Sequence, residues 1–280
     1  MLQEITTCLW FDTQAKEAVL FYQAVFGAVE VSSENPYVVN YKLYGRPFMH
    51  LNGGPKFKVN SSISFLINGE NETAVKAIWD KLIVDGNIMM PLNKYPWSSL
   101  YGWCADKYGV NWQIMLGHES SCKVMPQLLF CGNNNGRANE AIEFYSAVIK
   151  PSNIVQISKY ENGEPDIEGN IKYSQFELNK LPFGAMDSSA PHNFNFNEGV
   201  SFMLTVDTQE EIDYYWDLLS KEGVPGRCGW LKDKFGVSWQ VVPAVLGKLM
   251  TSRETAANVT KAFMGMSKFI IADLEAAAKI

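Results

Sequence analysis

The sequence contains no run of about 18 apolar residues, the least that a membrane-spanning helix needs, so an integral membrane protein of that kind is excluded. Its opening, MLQEITTCLW, has neither the basic segment nor the continuous apolar core of a secretory signal, which makes the cytoplasm the expected compartment. Basic clusters are scarce. Lys and Arg number 24 against 30 Asp and Glu, a net charge of −6, and the densest basic stretch, Arg227 to Lys234, is interrupted by Trp230 and Asp233. Phosphate binding needs concentrated Lys and Arg, so nucleic acid is not an expected partner. The five cysteines (Cys8, Cys104, Cys122, Cys131 and Cys228) are odd in number and show no CxxC spacing. This argues against a disulfide framework or a cysteine zinc site, and Cys8 reads as a buried strand thiol. Phosphate loops, dinucleotide fingerprints and G-x-S-x-G elbows are missing too; the one pair of adjacent glycines, Gly53-Gly54, leads into Pro55 rather than a helix.

Hydrophobic residues make up 47% of the 280, and the aromatic share of 13% includes eight Trp, which is the composition of a globular chain with room for two cores. Those two cores are written as a repeat. Residues 103–113 read WCADKYGVNWQ and residues 230–240 read WLKDKFGVSWQ. Upstream, Val75, Ile78, Trp79 and Leu82 match Ile212, Tyr215, Trp216 and Leu219 at the i, i+3, i+4, i+7 spacing of a helix face. Glu17-Ala-Val-Leu-Phe-Tyr22 likewise matches Glu140-Ala-Ile-Glu-Phe-Tyr145. The chain is therefore a tandem duplication.

The first copy predicts a strand over Ile5–Phe11, then a helix over Ala15–Phe26 capped by Asp12 or Thr13 and stopped by Gly27. Strands are expected at Val29–Val31, Tyr37–Leu43 and Pro47–Leu51, the last two joined by a turn at Tyr44-Gly45. The order then restarts with a strand at Ile63–Ile67, a helix over Glu72–Asp85 and strands near Ile88, at Tyr101–Ala105 and at Asn111–Met115. In the second copy, Thr208-Gln-Glu-Glu211 is a capping box that fixes the start of the later helix. Gly117–Ser121 is the expected linker, and two amphipathic helices are expected beyond Pro243. The domains are accordingly 1–117 and 123–245, with a helical tail over 246–280.

Paired strand–helix–three-strand modules resemble the vicinal-oxygen-chelate superfamily of glyoxalase I, extradiol dioxygenases, and fosfomycin- and bleomycin-resistance proteins. The stretches CLWFDTQAKEAVLFYQAVFG, LNGGPKFKVNSSISF and GRCGWLKDKFGVSWQVVP are similar to its PhnB-like family, known as 3-demethylubiquinone-9 3-methyltransferase domains. The resemblance implies an α+β fold of two tandem glyoxalase-like domains. Each would have two βαβββ modules forming a curved sheet around a small-molecule cavity, with domains pairing across a homodimer or within the chain.

In metal-dependent members of the superfamily, the resemblance places ligands on inward strand positions. Here these fall at Gln113 and Gln240 after the Asp-x-x-Gly turns, near Thr6 and Met125, near Ser62 and Gly199, and at His50 or Asn52 against Ala185 or Asp187. Amides and hydroxyls suit a divalent ion poorly, so neither a tight metal site nor any other cofactor is expected. His50 has no histidine counterpart in the second copy and reads as a packed side chain. The expected function is binding of an apolar or aromatic ligand. Gln113 and Gln240 would anchor it, Ser64 and Ser201 would assist, and Trp10, Asn52, Trp103 and Trp230 are further candidates. The alternatives are a metal-dependent lyase or dioxygenase and, taking the family label at its word, a methyltransferase. Alternation sends Trp112 and Trp239 to the opposite face, under the helices.

Overall fold

A computed structural model describes residues 2–117, 124–251 and 253–279; His118, Cys122 and positions 118–121 of the expected linker lie outside the described residues. Four modules follow one another. The first comprises β1 (Glu4–Phe11), α1 (Ala15–Phe26), β2 (Val29–Glu34), β3 (Val38–Leu43) and β4 (Arg46–Asn52). The second comprises β5 (Ile63–Gly69), α2 (Glu72–Leu82), β6 (Asn87–Tyr95), β7 (Ser98–Ala105) and β8 (Asn111–Leu116). The third has β9 (Val124–Cys131), α3 (Ala138–Val148), β10 (Ser152–Lys159), β11 (Ile171–Leu178) and β12 (Leu181–Ser188). The fourth has β13 (Val200–Val206), α4 (Gln209–Ser220), β14 (Val224–Pro225), β15 (Trp230–Lys232) and β16 (Ser238–Pro243).

Two mixed eight-stranded sheets result, ordered β14-β15-β16-β13-β1-β4-β3-β2 and β10-β11-β12-β9-β5-β8-β7-β6. Each sheet contains two modules, as the α+β glyoxalase-like reading requires. They are not the two modules of one sequence copy: the first sheet joins modules one and four, the second joins modules two and three. The chain divides into two compact units, Met1–Cys8 with Val200–Ile280 and Leu9–Gly199, the boundary falling inside β1.

Local chemistry explains most of the elements, and a contact from a distant strand explains one departure from expectation. Helix α1 ends at Gly27 in the left-handed conformation (φ 69°), which glycine adopts without strain. Its N-terminus is not capped by Asp12 or Thr13. The Oδ1 of Asn52, arriving from β4, accepts from the Ala15 N–H at 2.9 Å. Local sequence could not supply that partner because the position before the helix is Gln14, which makes no capping bond. Helix α2 stops at Leu82, three residues short of expectation, and its apolar face of Val75, Ile78, Trp79 and Leu82 is buried. The capping box of Thr208 and Glu211 is present as expected. Strand β6 runs on to Tyr95, and Trp97 sits exposed at the hairpin tip, stacked on Tyr95.

The tail forms α5 (Val245–Leu249), α6 (Arg253–Met264) and α7 (Ile271–Ala277). It is tied to its own unit: Gln209 of α4 donates to the Phe269 carbonyl and accepts from the Ile271 N–H, while Lys268 pairs with Asp213 at 2.7 Å.

Candidate functional site

The repeated Asp-Lys-aromatic-Gly-Val-x-Trp segment is a structural lock. Asp106 Oδ1 accepts from the backbone N–H of Tyr108 and Val110. Its Oδ2 accepts from the Trp112 indole and the Tyr22 hydroxyl, each at 2.8 Å. Asp233 repeats the arrangement with Phe235, Val237 and Trp239. Both indoles are fully buried; Trp112 packs on Tyr22 and Phe26 of α1 and on Phe65 of β5. Trp112 therefore faces the helices, as strand alternation predicts, and Gln113 must face the other way. Burial pushes the Asp106 carboxyl up, against the four hydrogen bonds that favour its charged form.

The face of the second sheet that carries Gln113 can be read row by row from the strand register. Trp103, Gln113, Leu66 and Met125 lie side by side across β7, β8, β5 and β9. The next row holds Asn111, Ser64, Gln127 and Gly184. Tyr101 and Met115 pair on the far side. Gln113 is 5% exposed, and both ends of its amide are fixed: Nε2 donates to Ser64 Oγ at 2.8 Å, and Oε1 accepts from the Tyr101 hydroxyl at 2.9 Å. Leu66, Tyr101 and Met125 form an apolar cluster here, with Met90, Tyr95, Trp103 and Met115 partly buried against it. Trp103 keeps its indole N–H on Asn111 at 3.2 Å.

Gln127 is the residue that sequence reasoning missed. It is 1% exposed, yet among the described residues neither its amide nitrogen nor its amide oxygen has a partner. A side chain at Gly184, its neighbour on β12, would collide with that carboxamide, so the sheet leaves room for it. Buried amides without partners are rare in folded proteins and cost roughly 1–3 kcal/mol each. Of the expected first-strand and fifth-strand positions, Met125 lies in the row of Gln113, and two residues along each strand Gln127 and Ser64 oppose one another. Ser62 is occupied instead with Asn60 Oδ1. The available signal was the polarity of Gln127 within the apolar β9, every residue of which is buried.

The other unit has a sparser counterpart. Trp230, Gln240 and Met203 lie in one row, with Ser238 and Ser201 in the next. Gln240 Nε2 donates to Ser201 Oγ at 3.0 Å. Cys8 lies near both, its thiol donating to the Thr6 carbonyl at 3.9 Å, and burial pushes that thiol up to about 12. The sulfur is a neutral, packed thiol and no nucleophile at physiological pH. Thr6 is buried with its hydroxyl toward Glu4, and Gly199 packs against the backbone of Lys58 within the larger unit.

Two candidates leave this arrangement. Asn52 caps α1 and donates Nδ2 to the Pro36 carbonyl, so its amide is committed to the scaffold. Asp187, its equivalent in the second copy, does the same for α3, accepting from Gly136, Ala138 and Ile171. Trp10 lies half-buried in another cavity of the larger unit, with its indole N–H on the Gly54 carbonyl at 2.7 Å.

His50 is fully buried, its Nδ1 3.1 Å from the Ala15 carbonyl and its Nε2 2.8 Å from the Tyr41 hydroxyl. A carbonyl only accepts, so Nδ1 carries the proton and Nε2 receives that of Tyr41. Burial holds the ring neutral, lowering its pKa to about 3. Both nitrogens being taken, His50 offers no lone pair to a metal. Among the described residues no group of three His, Cys, Asp or Glu side chains could hold a metal ion. The donors on the two glutamine faces are neutral amides, hydroxyls and a protonated thiol, which do not fit the divalent ion of the superfamily's metal-dependent members.

The family model for 3-demethylubiquinone-9 3-methyltransferase matches residues 3–115 and again 122–242. Among solved structures, a putative 3-demethylubiquinone-9 3-methyltransferase, a PhnB protein from Bacillus cereus, is 34% identical over 41% of this chain and all of its own, with a TM-score of 0.39. Glyoxalase I from Zea mays is 12% identical, covering 90% of this chain and 96% of its own with a TM-score of 0.57, which shows a shared fold. No curated protein sequence matches the chain. No described helix is long and apolar enough to cross a membrane.

Proposed function

The chain belongs to the 3-demethylubiquinone-9 3-methyltransferase family within the glyoxalase-like fold, and from that premise we propose that it binds a small apolar or aromatic molecule against Trp103, oriented by Gln113. The observation that carries this reading is the fixed amide of Gln113. Ser64 and Tyr101 hold it in one orientation, directly across the strand pair from a half-buried indole. A flat apolar wall beside one or two oriented polar groups is the usual division of labour in a small-molecule pocket. Gln127 adds a second amide on the same face with both hydrogen-bonding atoms unspent. Trp230, Gln240 and Ser201 form the equivalent, less elaborate site of the other unit.

Metal-assisted chemistry is the weaker reading because the donor set brings no charge. Methyl transfer is weaker too. The helix N-terminus that would hold an anionic donor group is already taken at α3 by Asp187 and at α1 by Asn52.

The test is native mass spectrometry for a co-purified molecule, followed by Trp103→Ala and Trp230→Ala made separately. A wall indole contributes roughly 1–3 kcal/mol to binding, so Trp103→Ala should weaken affinity about tenfold or more while the fold survives. A core indole would instead cost roughly 3–5 kcal/mol of stability. Severe destabilisation with unchanged ligand affinity in both variants sinks the proposal.

A further inference from the structure

We propose that the Leu9–Gly199 unit carries a second small-molecule site, built around Trp10 and suited to a compact aromatic anion. It is separate from the Gln113 face and stands or falls independently of it.

The site is a cavity of about 440 Å³ lined by Trp10, Phe57, Tyr108, Gln14, Lys58 and Lys107. That volume lies toward the small end of the roughly 300–1,000 Å³ range of ligand pockets, enough for one or two fused rings. Its aromatic wall is already in place. The indole N–H of Trp10 is spent on the Gly54 carbonyl, and a side chain at Gly53 would collide with the ring. Phe57 meets the indole edge-on, with centroids 5.0 Å apart. The Gly53-Gly54 pair is thus the seat of Trp10, which explains adjacent glycines that open no helix. Tyr108 is held by its hydroxyl on Glu17 at 2.7 Å. Rings fixed in this way lose little freedom when a ligand stacks on them.

With the indole N–H used internally, polar recognition falls to the side chains at the rim. Lys107 lies 3.7 Å from Glu17, a loose pair that an anion can share. Lys58 is exposed and, among the described residues, makes no side-chain hydrogen bond or ion pair. Asp12 also lines the cavity. The lining carries two ammonium groups against the single carboxylate of Asp12, a balance of one positive charge that suits a ligand with one negative charge, not two. An aromatic monocarboxylate meets both demands: its ring stacks in the Trp10–Phe57 corner and its carboxylate reaches a lysine.

The test uses the full chain labelled with 5-fluorotryptophan, 1-naphthoate as probe and the uncharged 1-naphthamide as control. With eight Trp, ¹⁹F resonances report separately, and Trp10→Phe assigns the one that matters. The expected result is a saturable shift of the Trp10 line by 1-naphthoate with the Trp103 line unmoved. The amide should need about tenfold more, as should 1-naphthoate with Lys58→Gln. Three outcomes overturn the proposal: no saturable shift of the Trp10 line, equal response to acid and amide, or movement of the Trp103 line alone. The last would direct the probe to the Gln113 face and leave that reading intact.

Discussion

The two sequence copies share a scaffold and one Trp–Gln–Ser set on each glutamine face, and differ in what surrounds those parts. Asp106 and Asp233 lock the same turn to Trp112 and Trp239, and Asn52 and Asp187 both reach back from the fourth strand to cap the first helix of their copy. Beside those shared parts the copies diverge in coordinated ways. The buried pair Tyr41 and His50 in β3 and β4 corresponds to Phe176 and Ala185 in β11 and β12, so hydroxyl and imidazole are absent together. On the glutamine faces, Gln113 is held by Ser64 and Tyr101 beside an unpartnered Gln127, whereas Gln240 has Ser201 and the thiol of Cys8. Identity between copies marks the scaffold and the Trp–Gln–Ser anchors of the two glutamine faces, and difference between them marks where ligand preference or a pH response can diverge.

The largest effect that sharpens this contrast is the pH dependence that His50 adds to the first copy. The His50 pKa falls from 6.5 to about 3 on folding. The unfolded chain therefore binds the proton first, so the stability is fully present above pH 6.5 and is lost as pH falls toward 3. One proton corresponds to about 1.4 kcal/mol per pH unit, or about 2 kcal/mol by pH 5 and 3 kcal/mol by pH 4. Urea unfolding between pH 7 and 5 should show that slope, and His50→Gln should remove it. An unchanged slope in the variant would mean that the imidazole is not buried neutral.

Most of the fold was legible because it is periodic. Val75, Ile78, Trp79 and Leu82 named a helix face, and Gly27 and Thr208 named helix ends, since each signal acts within one turn of chain. The cap of α1 was not legible, because its partner Asn52 lies 37 residues away and is brought there by strand pairing. Module exchange between copies was illegible for the same reason: all four modules carry the same local pattern, and no residue states which module it will pair with. In the candidate site, Gln113 and Gln240 came from the family resemblance, and Trp103 and Trp230, with Ser64 and Ser201 beside them, from matching the two copies. Gln127 and Tyr101 did not, since one lacks an amide counterpart in the other copy and the other lies ahead of the repeated segment.

A smaller effect tests whether Gln127 is held for binding at the expense of stability. Among the described residues its amide leaves two buried polar atoms unsatisfied, while the Cys8 thiol donates to the Thr6 carbonyl. Gln127→Met keeps the volume and removes the orphan atoms, so it should stabilise the protein by roughly 1–3 kcal/mol and weaken the ligand of the Gln113 face. Cys8→Ala, which deletes a packed and partnered thiol, should destabilise. Urea midpoints at unchanged slope decide it. A lower midpoint for Gln127→Met would show that ordered water satisfies the amide, and the two faces would then differ in hydration rather than in strain.

The smallest expected effect converts one face into the other. The Tyr101 hydroxyl donates to Gln113 Oε1 at 2.9 Å, which forces Nε2 toward Ser64 and so fixes which end of the amide a ligand meets. Strand β15 begins at Trp230, so no strand residue takes the place of Tyr101 in the first sheet, and Gln240 is held by Ser201. Tyr101→Phe keeps the ring in the cluster with Leu66 and Met125 and deletes the hydroxyl alone. Losing one buried hydrogen bond should cost about 1 kcal/mol of stability, measured by chemical unfolding. The more telling readout is the side-chain amide of Gln113 in a ¹⁵N spectrum. Its hydrogens should exchange slowly in the native protein and approach the Gln240 rate in the variant, because a single serine then holds each amide. Equal rates for the two glutamines before the substitution would break the comparison, since Tyr101 would then contribute nothing that the first sheet lacks.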